Sequence, residues 1–332
     1  MTMSGSDDAV TLAQLAERET LRRIFPRLPA SSVTIVGPGD DAAVLAAPDG
    51  RYVVTTDMMV HGPDFRWAWS QPRDLGWKAA VTNLADVAAM GARPTALLVA
   101  IAAPKDTPVS HLESFADGMR DACLDLAPGC GVVGGDLSVS DTFTIAVTAF
   151  GDLEGRDAVL RSGARPGDVV AVSGPLGAAA TGLRMLFEHA VDASGEPDAQ
   201  LAAGIRSVHP DVVEAQLRPR PPLADGIAAA LAGATAMLDL SDGLALDARR
   251  VAEASGVAID LVASALGEDR VLALDGGEDH SMLATFPAGT ALPGGFRRIG
   301  MVVAGAGLLV DGEPYKAESG WDPYRGWDGH IG

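Results

Sequence analysis

The stretch that decides the fold reads VTIVGPGDDAAVLAAPDGRYVVTTD and covers residues 33–57. Two segments rich in Val, Ile and Thr, residues 33–36 and 52–56, predict strands on either side of a turn of glycine, proline and paired aspartates. The second segment ends at Asp57, and acids at strand ends are expected to point out of a sheet. Carboxylates gathered without a neighbouring base raise each other's pKa unless a cation joins them. The stretch therefore predicts a metal site, and hard oxygen ligands suit magnesium.

Length and composition favour two domains and argue against polyanionic partners. The chain has 332 residues, 48% of them hydrophobic, and a net charge of −19. At roughly 150 residues per domain, this length suggests two domains. Nucleic acid and anionic membranes both require a basic face, and an aromatic content of 5% offers few platforms for stacking bases. A protein of this charge that handles phosphates would do so through metal ions.

Targeting and redox signals point to a cytoplasmic protein. The first residues, MTMSGSDD, lack the basic and apolar regions of a signal peptide. The longest apolar run, residues 96–103, is far shorter than the roughly 20 residues that span a bilayer. Cys123 and Cys130 match neither a C-x-x-C redox pair nor a zinc site and are expected to be reduced thiols. We expect neither a membrane nor nucleic acid as a partner.

Hydrophobic periodicity predicts an α/β fold in two related halves. In the first half we expect helices over 9–28, 72–90 and 109–126, and strands over 96–102, 131–134 and 143–150. Gly134, Gly135 and Asp136 are expected to form a turn at the end of the strand before them. Residues 151–155 are a candidate linker. In the second half we expect strands over 169–172, 236–240 and 257–262, helices near 178–189, 223–234 and 245–255, and a loop over 190–205.

Seven acidic residues stand at the ends of predicted elements: Asp40, Asp41, Asp57, Asp86, Asp136, Asp239 and Asp242. Any one of them could be an ordinary turn or cap residue, but that interpretation does not explain why turns in both halves place Asp beside Gly without an adjacent base. Asp86 lies two helical turns after Lys78, so it either pairs with this lysine or faces a metal cluster. The glycines at 174 and 177 form either an anion site or a closely packed turn.

Common nucleotide motifs are absent from the sequence. No Gly-Lys pair exists, which excludes a P-loop, and neither a kinase catalytic loop nor a D-F-G sequence occurs. Residues 37–42 formally match a dinucleotide-binding pattern, but two acids would face the pyrophosphate and no clear helix follows. If the protein transfers phosphate, it uses another architecture.

Seven short motifs follow one another along the chain: GDDAA at 39–43, TTD at 55–57, NLADVAAMGA at 83–92, GGD at 134–136, RSGA at 161–164, DLSDGL at 239–244 and GGED at 276–279. In order and spacing, from about residue 35 to 324, they resemble the thiamine-monophosphate kinase family. Several of them also occur in the wider superfamily of aminoimidazole-ribonucleotide synthetase and selenophosphate synthetase. The last two motifs are closer to the kinase.

The resemblance implies an enzyme that transfers the γ-phosphoryl group of ATP to thiamine monophosphate and forms thiamine diphosphate. The implied fold is α/β, like that of aminoimidazole-ribonucleotide synthetase, in two domains. Residues 1–153 would form an N-terminal ATP- and metal-binding domain, a mixed sheet with flanking helices that pairs in a homodimer. Residues 154–332 would form a C-terminal α/β domain that completes the substrate site.

Site residues are implied by their places in the motifs. The magnesium ligands would be Asp41, Thr55, Thr56, Asp57, Asp86, Asp136, Asp239 and Asp242. ATP would contact Gly135, Asp136, Arg161 and Ser241, and the substrate would contact Asp64, Glu278 and Trp321. No general base is expected, because the acceptor is a phosphate monoester with a second pKa of about 6 and is largely dianionic near neutral pH. Several magnesium ions would bridge the donor and acceptor oxygens.

Three positions depart from the family pattern. Asp64 precedes Phe65 where the family usually has His, and His280 follows the GGED motif where the family has Tyr. The tail reads GWDPY at 320–324, with a similar GWDGH at 326–330, so either Trp321 or Trp327 would contact the substrate. Two alternatives stay open: another ATP-dependent enzyme of the superfamily, and a non-catalytic relative that binds nucleotide or metal.

Overall fold

The computed structural model describes residues 10–15, 17–36 and 43–317. The first part of the chain forms a four-stranded sheet and a small two-stranded one with their helices. Its elements, in chain order, are α1 (Leu12–Leu15), α2 (Glu17–Ile24), a 3₁₀ turn (Phe25–Arg27), β1 (Thr34–Val36), β2 (Val44–Leu45), β3 (Val53–Val60), α3 (Pro72–Ala89), β4 (Arg93–Ala103), α4 (Val109–Leu126), β5 (Gly131–Val139) and β6 (Thr144–Asp152).

The second part of the chain forms a seven-stranded sheet with its own helices. Its elements are β7 (Val169–Ser173), α5 (Ala178–His189), α6 (Ala199–Val208), α7 (Pro210–Leu217), α8 (Leu223–Leu231), β8 (Ala236–Leu240), α9 (Leu244–Ser255), β9 (Ala258–Leu261), a 3₁₀ turn (Ala263–Ala265), α10 (Arg270–Asp275), β10 (Ser281–Phe286), β11 (Arg297–Val303), β12 (Gly307–Val310) and β13 (Glu313–Pro314).

The four-stranded sheet has the order β3-β6-β4-β5, with β4 and β5 parallel and the other pairs antiparallel. One face of this sheet packs against α3, which also contacts α4. The two helices come very close, since a Cβ atom on Gly76 would lie 2.0 Å from the carbonyl oxygen of Phe115 and one on Gly118 would lie 2.0 Å from that of Arg73. Only glycine allows this separation, which fixes α3 on the sheet.

The other face of the four-stranded sheet, which we call the outer face, carries exposed apolar side chains. Val54 and Met58 of β3 leave 59% and 63% of their surface accessible. Strand alternation places Thr56 between them on the same face. Its hydroxyl lies 3.2 Å from that of Thr148 on β6.

The seven-stranded sheet has the order β13-β12-β9-β11-β7-β10-β8 and is antiparallel except for the pair β9–β12. Strands β8 and β10 are buried along their whole length, which explains their nearly continuous apolar sequence. Helix α3 of the first part also packs against β8 and α8. The two sheets therefore meet along α3.

The α/β fold and the positions of most elements are confirmed. Helix α4 has the expected bounds and α3 ends one residue earlier than expected, at Ala89. A capping box between Gln71 and Asp74, with Pro72 in the first turn, explains where α3 begins. The expected helix over 9–28 instead consists of α1, α2 and a 3₁₀ turn.

Three local expectations were wrong. Strand β3 does not end at Asp57 but continues to Val60, because it pairs in unbroken register with β6 from Val53 to Val60. Gly135 and Asp136 do not form a turn but lie inside β5, paired with β4. The expected loop at 190–205 contains the start of α6, whose N-terminus is capped by the Asp198 side chain.

No helix in residues 10–15, 17–36 and 43–317 is long and apolar enough to cross a membrane.

Candidate functional site

The first half of the site is formed where polar side chains of α3 contact β3. The hydroxyl of Thr55 donates to Oδ2 of Asp86 at 2.8 Å, and the backbone N–H of Asp57 donates to Oδ1 of Asn83 at 3.0 Å. Asn83 is held in turn by the carbonyl of Ala79, to which its amide donates at 3.1 Å. These bonds give the polar side chains of an otherwise apolar helix their partners, and they place Asp86 beside Asp57.

The second half of the site is contributed by β8 and the turn after it. Asp239 is 3% exposed near the end of the strand, and its Oδ2 lies 3.0 Å from Nδ1 of His280. Asp242, in the turn, pairs with Nη1 of Arg250 at 2.7 Å. The expectation of acids without an adjacent base was therefore wrong at Asp242, because α9 brings Arg250 back to the turn.

We call Asp57, Asp86, Asp239 and Asp242 the acid cluster. Burial raises the pKa of Asp86 to about 7, and the charges of Asp239 and Asp57 contribute. Burial also raises the pKa of Asp57, which His280 opposes and the nearby acids Asp239, Asp242 and Glu278 reinforce. The cluster thus brings acids from both parts of the chain close enough together for their charges to help raise the pKa values of Asp57 and Asp86.

The acid cluster is not a preformed metal cage. Within the described parts of the chain, no three His, Cys, Asp or Glu side chains are arranged as the ligands of one metal ion.

A cavity of about 360 Å³ lies beside the acid cluster, between the loop after β3, helices α5 and α7, and the loop that leads into β10. We call it the apolar cavity. Apolar and aromatic side chains form most of its lining, among them Phe65, Trp69, Leu183, Phe187, Leu217 and Leu272. The charged lining residues include Asp64, Arg66, Lys78 and Glu278. A volume of this size suits a small organic molecule.

An ion pair closes the inner end of the apolar cavity. Lys78 of α3 is buried and pairs with Glu278. With its amide assigned the orientation that satisfies both neighbours, Gln216 completes the network: its oxygen accepts from Nζ of Lys78 at 3.1 Å and its nitrogen donates to the carbonyl of Ala179 at 3.0 Å. Burial opposes ionisation of Glu278, but Lys78 and then His280 outweigh it and lower the pKa. Lys78 therefore does not pair with Asp86, which answers the alternative that the sequence left open.

An aromatic clamp stiffens the outer wall of the apolar cavity. The guanidinium of Arg66 lies 4.7 Å from the ring centroids of both Trp69 and Phe187. Asp64, on the same loop, accepts the backbone N–H of Val60 at 2.7 Å, and burial raises its pKa. This carboxyl thus closes the loop with one oxygen while it lines the cavity.

The loop at 278–280 connects the cavity to the acid cluster. Glu278 lines the cavity and pairs with Lys78. His280, two residues later, is hydrogen-bonded to Asp239 of the acid cluster. Burial opposes a charge on His280, but its hydrogen bond with Asp239 and the charge of that residue outweigh burial and raise the pKa of the imidazole. Ser241 is adjacent, since its carbonyl accepts the N–H of Glu278 at 2.8 Å.

Some implied site residues are not brought to the acid cluster within one chain. Asp136 pairs in register with Ala100 of β4, on the outer face, three strands from β3 and so about 14 Å away. Gly135 lies beside it in β5, where a Cβ would meet the carbonyl of Val99. Thr56 also lies on the outer face. Arg161 is exposed, and its carbonyl accepts the Ser255 hydroxyl at the far end of α9 from Asp242.

Asp40, Asp41, Trp321 and Trp327 lie outside the described residues, so their implied roles stay predictions. Sequence reasoning missed His280 and Arg250 as partners of the acids. His280 stood out only as a departure from the family pattern, and nothing in the local sequence indicated that Arg250 returns to Asp242.

Comparison with known proteins assigns the family. Residues 39–153 match the family model described as "AIR synthase related protein, N-terminal domain". A "Thiamine-monophosphate kinase" of Mycobacterium tuberculosis is 43% identical over 334 residues, which cover 96% of this chain and 94% of that protein. The chain belongs to the thiamine-monophosphate kinase family.

The fold of this thiamine-monophosphate kinase family member agrees with solved structures. The crystal structure of the Stenotrophomonas maltophilia "Thiamine-monophosphate kinase" superposes with a TM-score of 0.75 at 33% identity, covering 91% of this chain and 98% of that one. A structure named "AaThiL complexed with AMPPCP and TMP" superposes with a TM-score of 0.70 at 32% identity, covering 85% of this chain and 90% of that one. The resemblance of the motifs and the two-domain α/β fold are thus confirmed.

Proposed function

We propose that this protein transfers the γ-phosphoryl group of ATP to thiamine monophosphate in a direct in-line step at the acid cluster. The observation that carries the proposal is the loop at 278–280, which joins a cavity for an organic molecule to the acid cluster. Family membership supports it, as does a relative of similar fold whose structure is named as a complex with AMPPCP and TMP.

The donor set of the acid cluster fits magnesium. Asp57, Asp86 and Asp239 offer hard oxygen atoms, and the raised pKa values of the first two indicate that a positive charge is needed among them. Thr55, bonded to Asp86, orients one carboxylate from behind. When bound, magnesium would offset the charge of the donor and acceptor phosphates. Asp41 is proposed as a further ligand by its place in the motif.

The apolar cavity fits the ring end of thiamine monophosphate. Phe65, Trp69 and Leu217 offer apolar surface for the pyrimidine and thiazolium rings, while Asp64 and Glu278 offer carboxylates to the positive charge of the thiazolium. The phosphate end would then point along the loop toward the acid cluster, near Lys78. Because this phosphate is already ionised, positioning and charge compensation suffice and no side chain has to remove a proton.

The nucleotide end of the site involves a second copy in our proposal. Thr56 and Asp136 lie on the outer face with the exposed Val54 and Met58. We propose a homodimer in which this face packs on the same face of another protomer, so that residues remote from the acid cluster in one chain belong to a shared ATP site. We also propose a domain boundary near residue 153 and, separately, a cytoplasmic location for the protein.

The test is a product assay by mass spectrometry with purified protein, ATP, magnesium and thiamine monophosphate. We expect thiamine diphosphate and ADP in equal amounts, and neither product with Asp239→Asn. Unphosphorylated thiamine serves as the control acceptor and should give no product. Release of free phosphate without thiamine diphosphate would instead favour another activity of the superfamily. Magnesium-dependent ATP binding without turnover would favour the non-catalytic alternative.

A further inference from the structure

His280 occupies the junction between the apolar cavity and the acid cluster. It is 4% exposed, and its Nδ1 lies 3.0 Å from Oδ2 of Asp239. A carboxylate oxygen accepts hydrogen bonds, so Nδ1 carries the hydrogen and the ring holds this oxygen in one direction. The other carboxylate oxygen of Asp239, Oδ1, takes no part in this hydrogen bond.

The backbone around His280 is fixed in an unfavourable conformation. Glu278 and His280 have φ angles of 71° and 50°, in the left-handed region that residues other than glycine seldom adopt. Three contacts hold the loop there. The N–H of His280 donates to the carbonyl of Leu240, that of Glu278 donates to Ser241, and the Asp279 carboxylate accepts two N–H groups at the start of α5. The imidazole ring of His280 is thus hydrogen-bonded to Asp239, and the backbone of His280 is hydrogen-bonded to Leu240, the next residue of β8.

The second ring nitrogen of His280 is a buried polar atom beside the acid cluster. Among the described residues, Nε2 is buried and has no hydrogen-bond partner. The same ring lies within electrostatic reach of Asp57 and Asp86. A buried polar atom normally has a partner, so an atom of this kind next to carboxylates indicates a group that enters with the ligand.

We propose that His280 is a positioning residue of a divalent-cation site: its Nδ1–H orients the Asp239 carboxylate so that the free oxygen meets the cation. This rests on the proposed function, in which magnesium binds the acid cluster. Side chains that orient a metal ligand commonly change metal affinity by about 10- to 100-fold when removed. A purely structural histidine would instead affect the melting temperature and leave cation affinity unchanged.

Two substitutions separate these roles. In His280→Asn the amide nitrogen takes the place of Nδ1, and Asn tolerates the left-handed backbone well. In His280→Gln the amide lies near the place of Nε2, and the donor to Asp239 is lost. We therefore expect Asn to bind the cation within about threefold of the wild type and Gln to bind about 10- to 100-fold more weakly.

The experiment uses the full chain without ATP or thiamine monophosphate. Mn²⁺ is titrated and the free ion is measured by electron paramagnetic resonance. The variant Asp239→Asn shows which Mn²⁺-binding sites depend on this carboxylate, because those sites lose affinity when it is replaced. Melting temperatures, recorded in EDTA, confirm that each variant is folded. In parallel, the concentration of magnesium that gives half-maximal kinase activity should rise for Gln and not for Asn.

The outcomes are distinct. Equal Mn²⁺ affinity of folded His280→Gln and the wild type would overturn the proposal, as would equal weakening in both folded variants or no effect of Asp239→Asn. Binding is measured without substrates. If the Mn²⁺ affinity depends on His280 as expected but the wild-type protein makes no thiamine diphosphate, the proposed function is refuted and the role of His280 stays intact.

Discussion

At the scale of single residues, the raised pKa of Asp86 links protein stability to pH. Its pKa is about 7 in the folded chain, because burial and two neighbouring acids oppose its charge, whereas in the unfolded chain it is near 3.8. Between these values the folded state binds more protons than the unfolded state. The free energy of unfolding therefore falls as pH rises through this window and levels off above about pH 7.

This predicts a measurable difference between wild type and Asp86→Asn. In EDTA, the wild type should lose stability from pH 5 to pH 8, by up to about 2.7 kcal/mol, because about two pH units of this range lie below the folded pKa of about 7 and each is worth about 1.36 kcal/mol. The variant keeps an acceptor for Thr55 but cannot ionise, so its stability should change much less. Urea unfolding at several pH values tests this, and parallel curves for the two proteins would contradict it.

The ion pair between Lys78 and Glu278 predicts a double-mutant result. Lys78→Met leaves Glu278 beside the cavity without its cation and should cost about 1–3 kcal/mol, since a partly buried charge loses its partner. Adding Glu278→Gln to this variant should restore most of the stability.

Activity should not recover with stability. Because Glu278 is proposed to face the thiazolium, Glu278→Gln with or without Lys78→Met should raise the KM for thiamine monophosphate about tenfold or more while that for ATP changes little. Equal changes in both KM values would contradict its place in the substrate cavity.

At the scale of elements, the close crossing of α3 and α4 determines the position of α3, the helix that carries Asp86. A methyl group on Gly118 would overlap the carbonyl oxygen of Arg73, so the two helices would have to separate. We expect Gly118→Ala to cost at least about 2 kcal/mol in urea unfolding. Gly204→Ala is the matched control, since α6 has open space there and alanine should stabilise its helix by about 0.5–1 kcal/mol. Equal effects would show that crowding is not the cause.

Elements were predictable from the sequence where local pattern decides them. The amphipathic repeat and the flanking prolines define α4 and the start of α3 almost to the residue. The ends of β3 and β5 could not be predicted, because a strand continues as long as its neighbour offers hydrogen bonds, and β6 and β4 come from distant sequence. For the same reason Asp57 and Asp136 looked alike in the sequence yet lie on opposite faces of one sheet.

The site was predictable in part. The motifs indicated Asp57, Asp86 and Asp239, which the fold does bring together. The partners of these acids could not be inferred, because His280 meets Asp239 only when β8 and β10 pair, and Lys78 meets Glu278 only when the two parts of the chain pack together.

At the scale of the whole molecule, the outer face predicts the oligomeric state. Met58→Glu places a charge among the exposed apolar side chains of this face and should convert a dimer into a monomer in sedimentation experiments, with the melting temperature of the monomer largely kept. Leu231→Glu is the control, because Leu231 is similarly exposed at 68% but lies at the end of α8. A wild type that sediments as a monomer, or a dimer that survives Met58→Glu, would refute the proposed pairing.

Helix α3 contacts both sheets, and this determines how the molecule opens. Local fluctuations can expose an amide only if its surroundings come apart, and the surroundings of α3 include β3, β8 and α4. Its amide protons should therefore exchange with deuterium only when the entire chain unfolds, whereas those of the more exposed α6 should exchange through local opening. The helix that carries Asp86 would then be among the last parts of the protein to take up deuterium from the solvent.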